Sequence, residues 1–141
     1  MRVSFDTNVF VIAFAARGLC ADLFQVVLAD HQLMVGEAVL GELRRILSRK
    51  LRMAPELVDE VEAFVRSQAD VVAEAPPIHL AVRAAADRLV VAEAVAGEAE
   101  VLVTGDSDLL SIAAEAPLPI VAPRAFWELL KAGPRGSSGA T

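Results

Sequence analysis

The sequence predicts an α/β sandwich with a mostly parallel sheet, and three observations carry that expectation. Short β-prone runs alternate with longer segments of helical spacing along the chain. Two of those runs end in a polar turn that sets an aspartate at the mouth of a helix: Val3-Ser4-Phe5 before Asp6-Thr7-Asn8, and Val101-Leu102-Val103-Thr104 before Gly105-Asp106-Ser107-Asp108. A chain of 141 residues with 55% apolar side chains is also one ordinary domain, long enough to bury a core without metals or disulfides.

The elements follow in order. After the first strand, Val9 to Ala16 is an apolar helical stretch closed by Gly18, and Ala21 to Ala29 places Leu23, Val26 and Val27 at helical spacing. Leu33-Met34-Val35 is a second strand ending at Gly36. Val39, Leu40, Leu43, Ile46 and Leu47 then recur at three and four residues, which predicts one amphipathic helix from about Glu37 to Lys50. Pro55 suits the first turn of another helix running to about Gln68, with acidic residues near its positive end. Val71-Val72 is a third strand candidate. Ala75-Pro76-Pro77 breaks the chain, and the Ala-rich segment Leu80 to Ala96 reads as helix, with a split near Asp87. The strand to Thr104 leads into a helix over Leu109 to Ala114, Pro119-Ile120-Val121 is the last strand, and Pro123 to Lys131 the last helix, with Phe126 and Trp127 as core or interface anchors. Residues 1–132 form the expected domain, and the Gly- and Ser-rich tail 133–141 is expected to be flexible.

Composition narrows the function classes. The longest stretch free of Asp, Glu, Lys and Arg is Thr7 to Ala16, ten residues, about half of the roughly 20 a spanning helix needs. No membrane span is expected, and Asp6 and Asn8 interrupt the only run resembling a signal peptide. One cysteine, Cys20, cannot close an internal disulfide and fits a reducing compartment, so the expected location is the cytoplasm. Thirteen Lys plus Arg against nineteen Asp plus Glu leave a net charge of −6. A nucleic-acid partner would therefore need a local basic patch or bridging cations. The apolar excess also suits a self-association surface.

The acidic residues form the candidate site. In parallel α/β sheets the ligand crevice lies outside the carboxyl ends of neighbouring strands, which is where Asp6 and Asp106 fall. Each alone reads equally as a helix N-cap. Asp87 shares the apolar face of its helix with Val91, Ala94 and Val95, and an inward carboxylate is costly unless capped, paired or bound to a cation. Glu42 flanks the apolar face of its own helix, whereas Glu93 lies on another face from Asp87 and is expected at the surface or outer rim. Converging carboxylates would repel one another unless cations neutralise them. An all-oxygen donor set suits Mg²⁺ or Mn²⁺ rather than Zn²⁺. Neither His31 nor His79 has a partner at a metal-ligand spacing, and Cys20 reads as a small buried hydrophobe. Phosphodiester hydrolysis is the reaction such a cluster supports.

Asp6-Thr7-Asn8-Val9 after a short strand, Glu42 in Glu42-Leu43-Arg44-Arg45-Ile46-Leu47, Asp87 ahead of an Ala-rich run, and Val103-Thr104-Gly105-Asp106-Ser107-Asp108-Leu109-Leu110 together resemble the PIN domain in order and spacing. The subgroup most similar is the VapC-like toxin component of toxin–antitoxin pairs, and the resemblance covers about residues 1 to 132. It implies a three-layer sandwich with a five-stranded parallel sheet flanked by helices, and a Mg²⁺- or Mn²⁺-dependent ribonuclease acting on single-stranded RNA. Asp6, Glu42, Asp87 and Asp106 would match the family's acidic quartet, with Asp108 as an auxiliary metal-binding carboxylate. Thr7, Asn8 and Thr104 would orient those carboxylates. The resemblance further implies a cognate antitoxin and a homodimer. One departure is that the family's acidic, Pro-containing approach to the third acid reads Ala84-Ala85-Ala86-Asp87 here, so the third ligand rests on Asp87 alone.

Arg44, Arg45, Arg49, Lys50 and Arg52 put five cations into nine residues close to Glu42, a candidate RNA-binding patch or equally a solvated helix end. A phosphatase of the haloacid-dehalogenase type also places an Asp after its first strand, but needs a second Asp where Asn8 stands. The remaining alternative is a catalytically weak or inactive PIN-fold module that binds RNA or protein in a regulatory complex.

Overall fold

The computed structural model describes residues 1–80 and 84–138, the last six of these as backbone alone. Five strands, β1 (Arg2–Phe5), β2 (Gln32–Gly36), β3 (Ala69–Val72), β4 (Val101–Val103) and β5 (Ile120–Val121), form one sheet in the order β3-β2-β1-β4-β5. All four pairings are parallel. Helices α1 (Thr7–Ala15), α2 (Leu19–Asp30), α3 (Glu37–Arg45), α4 (Pro55–Gln68), α5 (Ala85–Ala96), α6 (Ser107–Ser111) and α7 (Pro123–Ser138) flank it in a three-layer sandwich. Central strands of such a sheet are covered on both faces, and Val3, Ser4 and Phe5 are accordingly all buried.

The chain leaves β1 toward β2 on one side and later returns to place β4 on the other. That makes the carboxyl end of β1 the point where strand order reverses, which opens a crevice between the two connections. Packing fixes what surrounds it. Phe5 on β1 meets Phe10 on α1 edge-on at 5.5 Å, and Phe24 on α2 lies 6.1 Å from Phe10, so α1 is seated under the strand that leads into it. Val39, Leu40, Leu43 and Leu47 bury one stripe of the chain after β2 and leave the opposite face charged. Phe126 on α7 is wholly buried, with Trp127 packed partly against the same core.

Four expectations shift. The helix from Glu37 is not uniform to Lys50: α3 ends at Arg45 and widens into a π-type turn over Ile46–Lys50, where the Leu51 N–H reaches the Ile46 carbonyl at 3.1 Å. The Ala-rich helix begins at Ala85, not Leu80. Ile78 and Leu80 pack against the core with exposed His79 between them, an alternation that needs extended chain, and the rest of that stretch, 81–83, lies outside the described residues. The third strand starts earlier, at Ala69. The last helix continues to Ser138, past the expected end at Lys131: Pro134 removes one donor from the ladder without ending it, so of the expected tail only 139–141 fall outside the described residues. Among the described residues no single helix is long and apolar enough to cross a membrane.

Candidate metal centre

The parallel register sets Phe5 beside Val103, so the next residue of each strand, Asp6 and Thr104, emerges at the same point of the carboxyl edge. The Asp6 N–H donates to the Val103 carbonyl at 2.9 Å and extends the ladder by one bond. Both residues are buried, and a buried carboxylate requires donors. Asp6 has two: the Thr7 N–H at 2.7 Å on Oδ1 and the Thr104 hydroxyl at 2.7 Å on Oδ2. The relay continues, since Thr104 Oγ1 accepts from the Asp106 N–H at 2.9 Å and Asp106 Oδ1 accepts from the Asp108 N–H at 2.8 Å. Asp6 caps α1 and Asp106 caps α6, so the cap and the candidate ligand are here the same residue.

Asp87 arrives from the first turn of α5. Its carboxylate, that of Asp106 and that of Asp108 each offer an oxygen within 4.8 Å of the others. Burial, and then the charges of Asp106 and Asp6, push the Asp87 carboxyl up to about 6. Burial also raises Asp6, against the Thr104 and Thr7 hydrogen bonds that favour its charged form. Oxygen-only donors whose mutual repulsion holds one carboxyl well above its usual range fit a hard divalent cation.

The opposite wall of the cleft, whose volume is about 370 Å³, comes from α3 and the turn that follows it and contributes Ala38, Glu42, Arg45 and Ile46. Glu42 faces the same space as Asp6, Asp87 and Asp106 but accepts two bonds from the Arg45 guanidinium, one of them from Nε at 3.0 Å. The four acids of the expected quartet therefore line one cleft, with three on the strand-end side and Glu42 across from them. Asn8 lines it too, and its Oδ1 is buried with no hydrogen-bond partner among the described residues.

The basic run divides. Arg44 is engaged by Asp59 at 2.9 Å and Glu62 at 2.8 Å on α4, and Arg45 by Glu42. Arg49, Lys50 and Arg52 are exposed, and no ion pair is found for them among the described residues. His31 closes α2 with its ring 3.2 Å from the chain's own amino terminus, and Cys20 is buried.

Glu93 is a correction. It is not at the rim: only 6% of it is exposed, because α5 packs against the sheet and α3 and its middle, Val90 to Ala94, is buried at every residue. Its Oε2 accepts from the Ala38 N–H at 2.8 Å, at the start of α3. The available signal was its position inside the apolar run Val90-Val91-Ala92-Glu93-Ala94-Val95, which a rim residue rarely occupies.

Comparison with known proteins bears on this geometry. A family model described as the PIN domain matches residues 2–108. The chain belongs to the PIN-domain family. This places it in a nuclease family, and the matched residues take in every acid that lines the cleft, from Asp6 to Asp106, and Asp108 as well. Among solved structures, this PIN domain is similar to a chain in the crystal structure of VapBC2 from Rickettsia felis bound to a DNA fragment from their promoter. That likeness has a TM-score of 0.61 at 17% identity, over 86% of this chain and 98% of the other. No curated protein matches the sequence.

Proposed function

We propose that the protein is a divalent-metal-dependent endoribonuclease that hydrolyses phosphodiester bonds of single-stranded RNA, and that it is the toxin of a toxin–antitoxin pair. The observation that carries this reading is the convergence of Asp6, Asp87 and Asp106 on one cleft at the strand-order switch point, with a carboxylate oxygen of Asp108 within 4.8 Å of those of Asp87 and Asp106. Asp87, Asp106 and Asp108 would hold Mg²⁺ or Mn²⁺ directly, with Asp6 beside them and Glu42 joining from α3. Bound there, the cation would make an attacking water more acidic and stabilise the leaving oxygen. The chain's own groups do the positioning. Thr104 holds Asp6 and Asp106 in one relay, Thr7 fixes the second Asp6 oxygen, and Asn8 keeps an unused acceptor on the cleft wall. Arg49, Lys50 and Arg52 would meet the RNA backbone beyond the cleft; Arg45 would do so at its edge, while Arg44 steadies α3 against α4.

The antitoxin partner is supported by the structural likeness to a VapBC complex. Exposed Ile12 on α1 and Leu57 and Phe64 on α4 are apolar surface that an antitoxin or a second copy of the chain would cover. A second reading, a PIN fold that binds RNA or protein with little turnover, is favoured by one observation: the Glu42 wall is already neutralised by Arg45.

The test is incubation of the purified protein with a pooled single-stranded RNA library and Mn²⁺ or Mg²⁺, followed by sequencing of new ends. Cleavage that vanishes with EDTA, with Asp6→Ala and with Asp106→Asn supports the nuclease. Silence in the wild type despite Mn²⁺ binding supports the second reading, and cleavage that survives Asp106→Asn sinks the assignment of the site.

A further inference from the structure

Helix α3 begins without a cap of its own. Its N-cap position is Gly36, which has no side chain to offer, yet the first amides of a helix need acceptors. The acceptor comes from 55 residues away: the Ala38 N–H donates to Glu93 Oε2 at 2.8 Å, and the Val39 amide adds to the field that favours the carboxylate. Glu93 Oε1 is buried with no hydrogen-bond partner among the described residues, a cost that burial alone does not explain. Gly36 makes room for this contact, since a Cβ built there would lie 1.8 Å from Glu93 Oε1 and 1.9 Å from its carboxyl carbon.

The contact joins the two helices that bear the facing walls of the cleft. Ala38, which donates the bond, lines the cleft, and Glu42 follows one turn later on α3. Asp87 lies six residues before Glu93 on α5 and lines the cleft from the other side. We infer that Glu93 is a positioning residue, a bolt that, with the space left by Gly36, sets the separation between Glu42 and Asp87 across the cleft. Its role in metal binding rests on the nuclease reading above; its role in setting the separation does not.

The experiment uses the full chain with spin labels at Gly41→Cys on α3, where a side chain meets open space, and at Ala85→Cys on α5. Into this background go Glu93→Gln, which keeps an acceptor for the Ala38 amide, Glu93→Met, and Gly36→Ala, which removes no polar group but displaces the carboxylate. The label-to-label distance distribution is read without metal. Mn²⁺ affinity is read by electron paramagnetic resonance, and kcat and KM on the cleaved RNA, in the same variants without labels. Glu93→Met and Gly36→Ala should broaden the distribution and weaken Mn²⁺ binding about tenfold or more. They should also lower kcat with KM little changed, and Glu93→Gln should recover most of each effect. A distribution as narrow in Glu93→Met and Gly36→Ala as in the parent, or a Glu93→Gln as impaired as Glu93→Met, overturns the bolt. If the parent neither binds Mn²⁺ nor cuts RNA, the nuclease reading fails, and the distance measurement still decides for or against the bolt. Should Glu93→Met fail to fold, Gly36→Ala carries the test.

Discussion

The two walls of the cleft solve the same electrostatic problem in opposite ways. On the strand-end wall, Asp6 and Asp106 are held by a relay of main-chain amides, that of Asp108 among them, and the Thr104 hydroxyl, Asp87 leans in from α5, and among the described residues that line the cleft no cationic side chain stands on that side. On the helical wall, Glu42 is paired with Arg45 three residues on, in a partner arrangement that solvent reaches. One wall is rigid and short of positive charge, and the other is adaptable and balanced. The difference teaches where an external cation is required: charge that the fold leaves unneutralised at precise positions is the part of the site that must be completed from outside.

The largest effect should follow from breaking the rigid wall. Asp106→Asn keeps the shape and one acceptor for the Asp108 amide but removes the charge. Metal-dependent RNA cleavage should fall at least about 100-fold, as should cleavage in EDTA. Mn²⁺ titration of the variant against the parent separates lost binding from lost chemistry. Next comes Thr104→Val, which preserves volume while deleting the hydroxyl that donates to Asp6 and accepts from Asp106. The buried Asp6 carboxylate and the part-buried Asp106 amide each lose a partner, at a cost of about 1–3 kcal/mol in denaturant unfolding. Mn²⁺ affinity should weaken roughly tenfold or more. A Thr104→Val protein as stable and as tight as the parent would show that the relay does not set the site.

A smaller effect tests the missing charge itself. With its carboxyl pushed up to about 6, Asp87 resists ionisation in the folded protein more than in the unfolded chain. In metal-free protein its contribution to stability is thus full at low pH and is lost as pH rises from the ordinary carboxylate range through about 6. Melting in EDTA between pH 4.5 and 7.5 should reveal that decline against whatever the other acids contribute, and Asp87→Asn should remove it. The gain at neutral pH from Asp87→Asn should be on the order of 1–2 kcal/mol once solvent screening is allowed for. Saturating Mn²⁺ should abolish the same decline in the parent, with Mn²⁺ binding weakening as pH falls below about 6.

The strand-end wall was legible in the sequence because its determinants are local. A β-prone run, an aspartate within two residues of its end and a helix directly after fix where Asp6 and Asp106 lie in any parallel sheet; helical spacing singled out Asp87 and Glu42, and the resemblance grouped the four as one quartet. What stayed hidden depends on how distant elements approach. Glu93 looked peripheral because helical periodicity assumes one buried face along a whole helix, whereas the middle of α5, Val90 to Ala94, is buried at every residue and only its ends are exposed. The basic run looked like a single patch because nothing local says that α4 brings Asp59 and Glu62 to Arg44. The start of α5 was misplaced for the same kind of reason. Alanine favours helix from Leu80 onward, but Ile78 and Leu80 gain more by packing as extended chain against the core.

The smallest effect should come from the adaptable wall, and its size is the sharpest measure of the contrast. Arg45→Ala removes the cation from Glu42 without touching any buried group. The ion pair is 49% and 40% exposed at its two side chains, so the melting temperature should barely move. Two functional changes should then run in opposite directions. Glu42, no longer paired, should be more available to a cation, and Mn²⁺ should bind a few-fold more tightly. The cleft should at the same time lose a phosphate-facing charge, and KM for RNA should rise a few-fold, more so at low salt, where contacts to the backbone count most. Tighter metal with weaker substrate would mean that Arg45 divides its charge between holding Glu42 and meeting RNA. A loss as deep as that of Thr104→Val would mean instead that the helical wall is as tightly built as the strand-end wall, and the contrast between them would not stand.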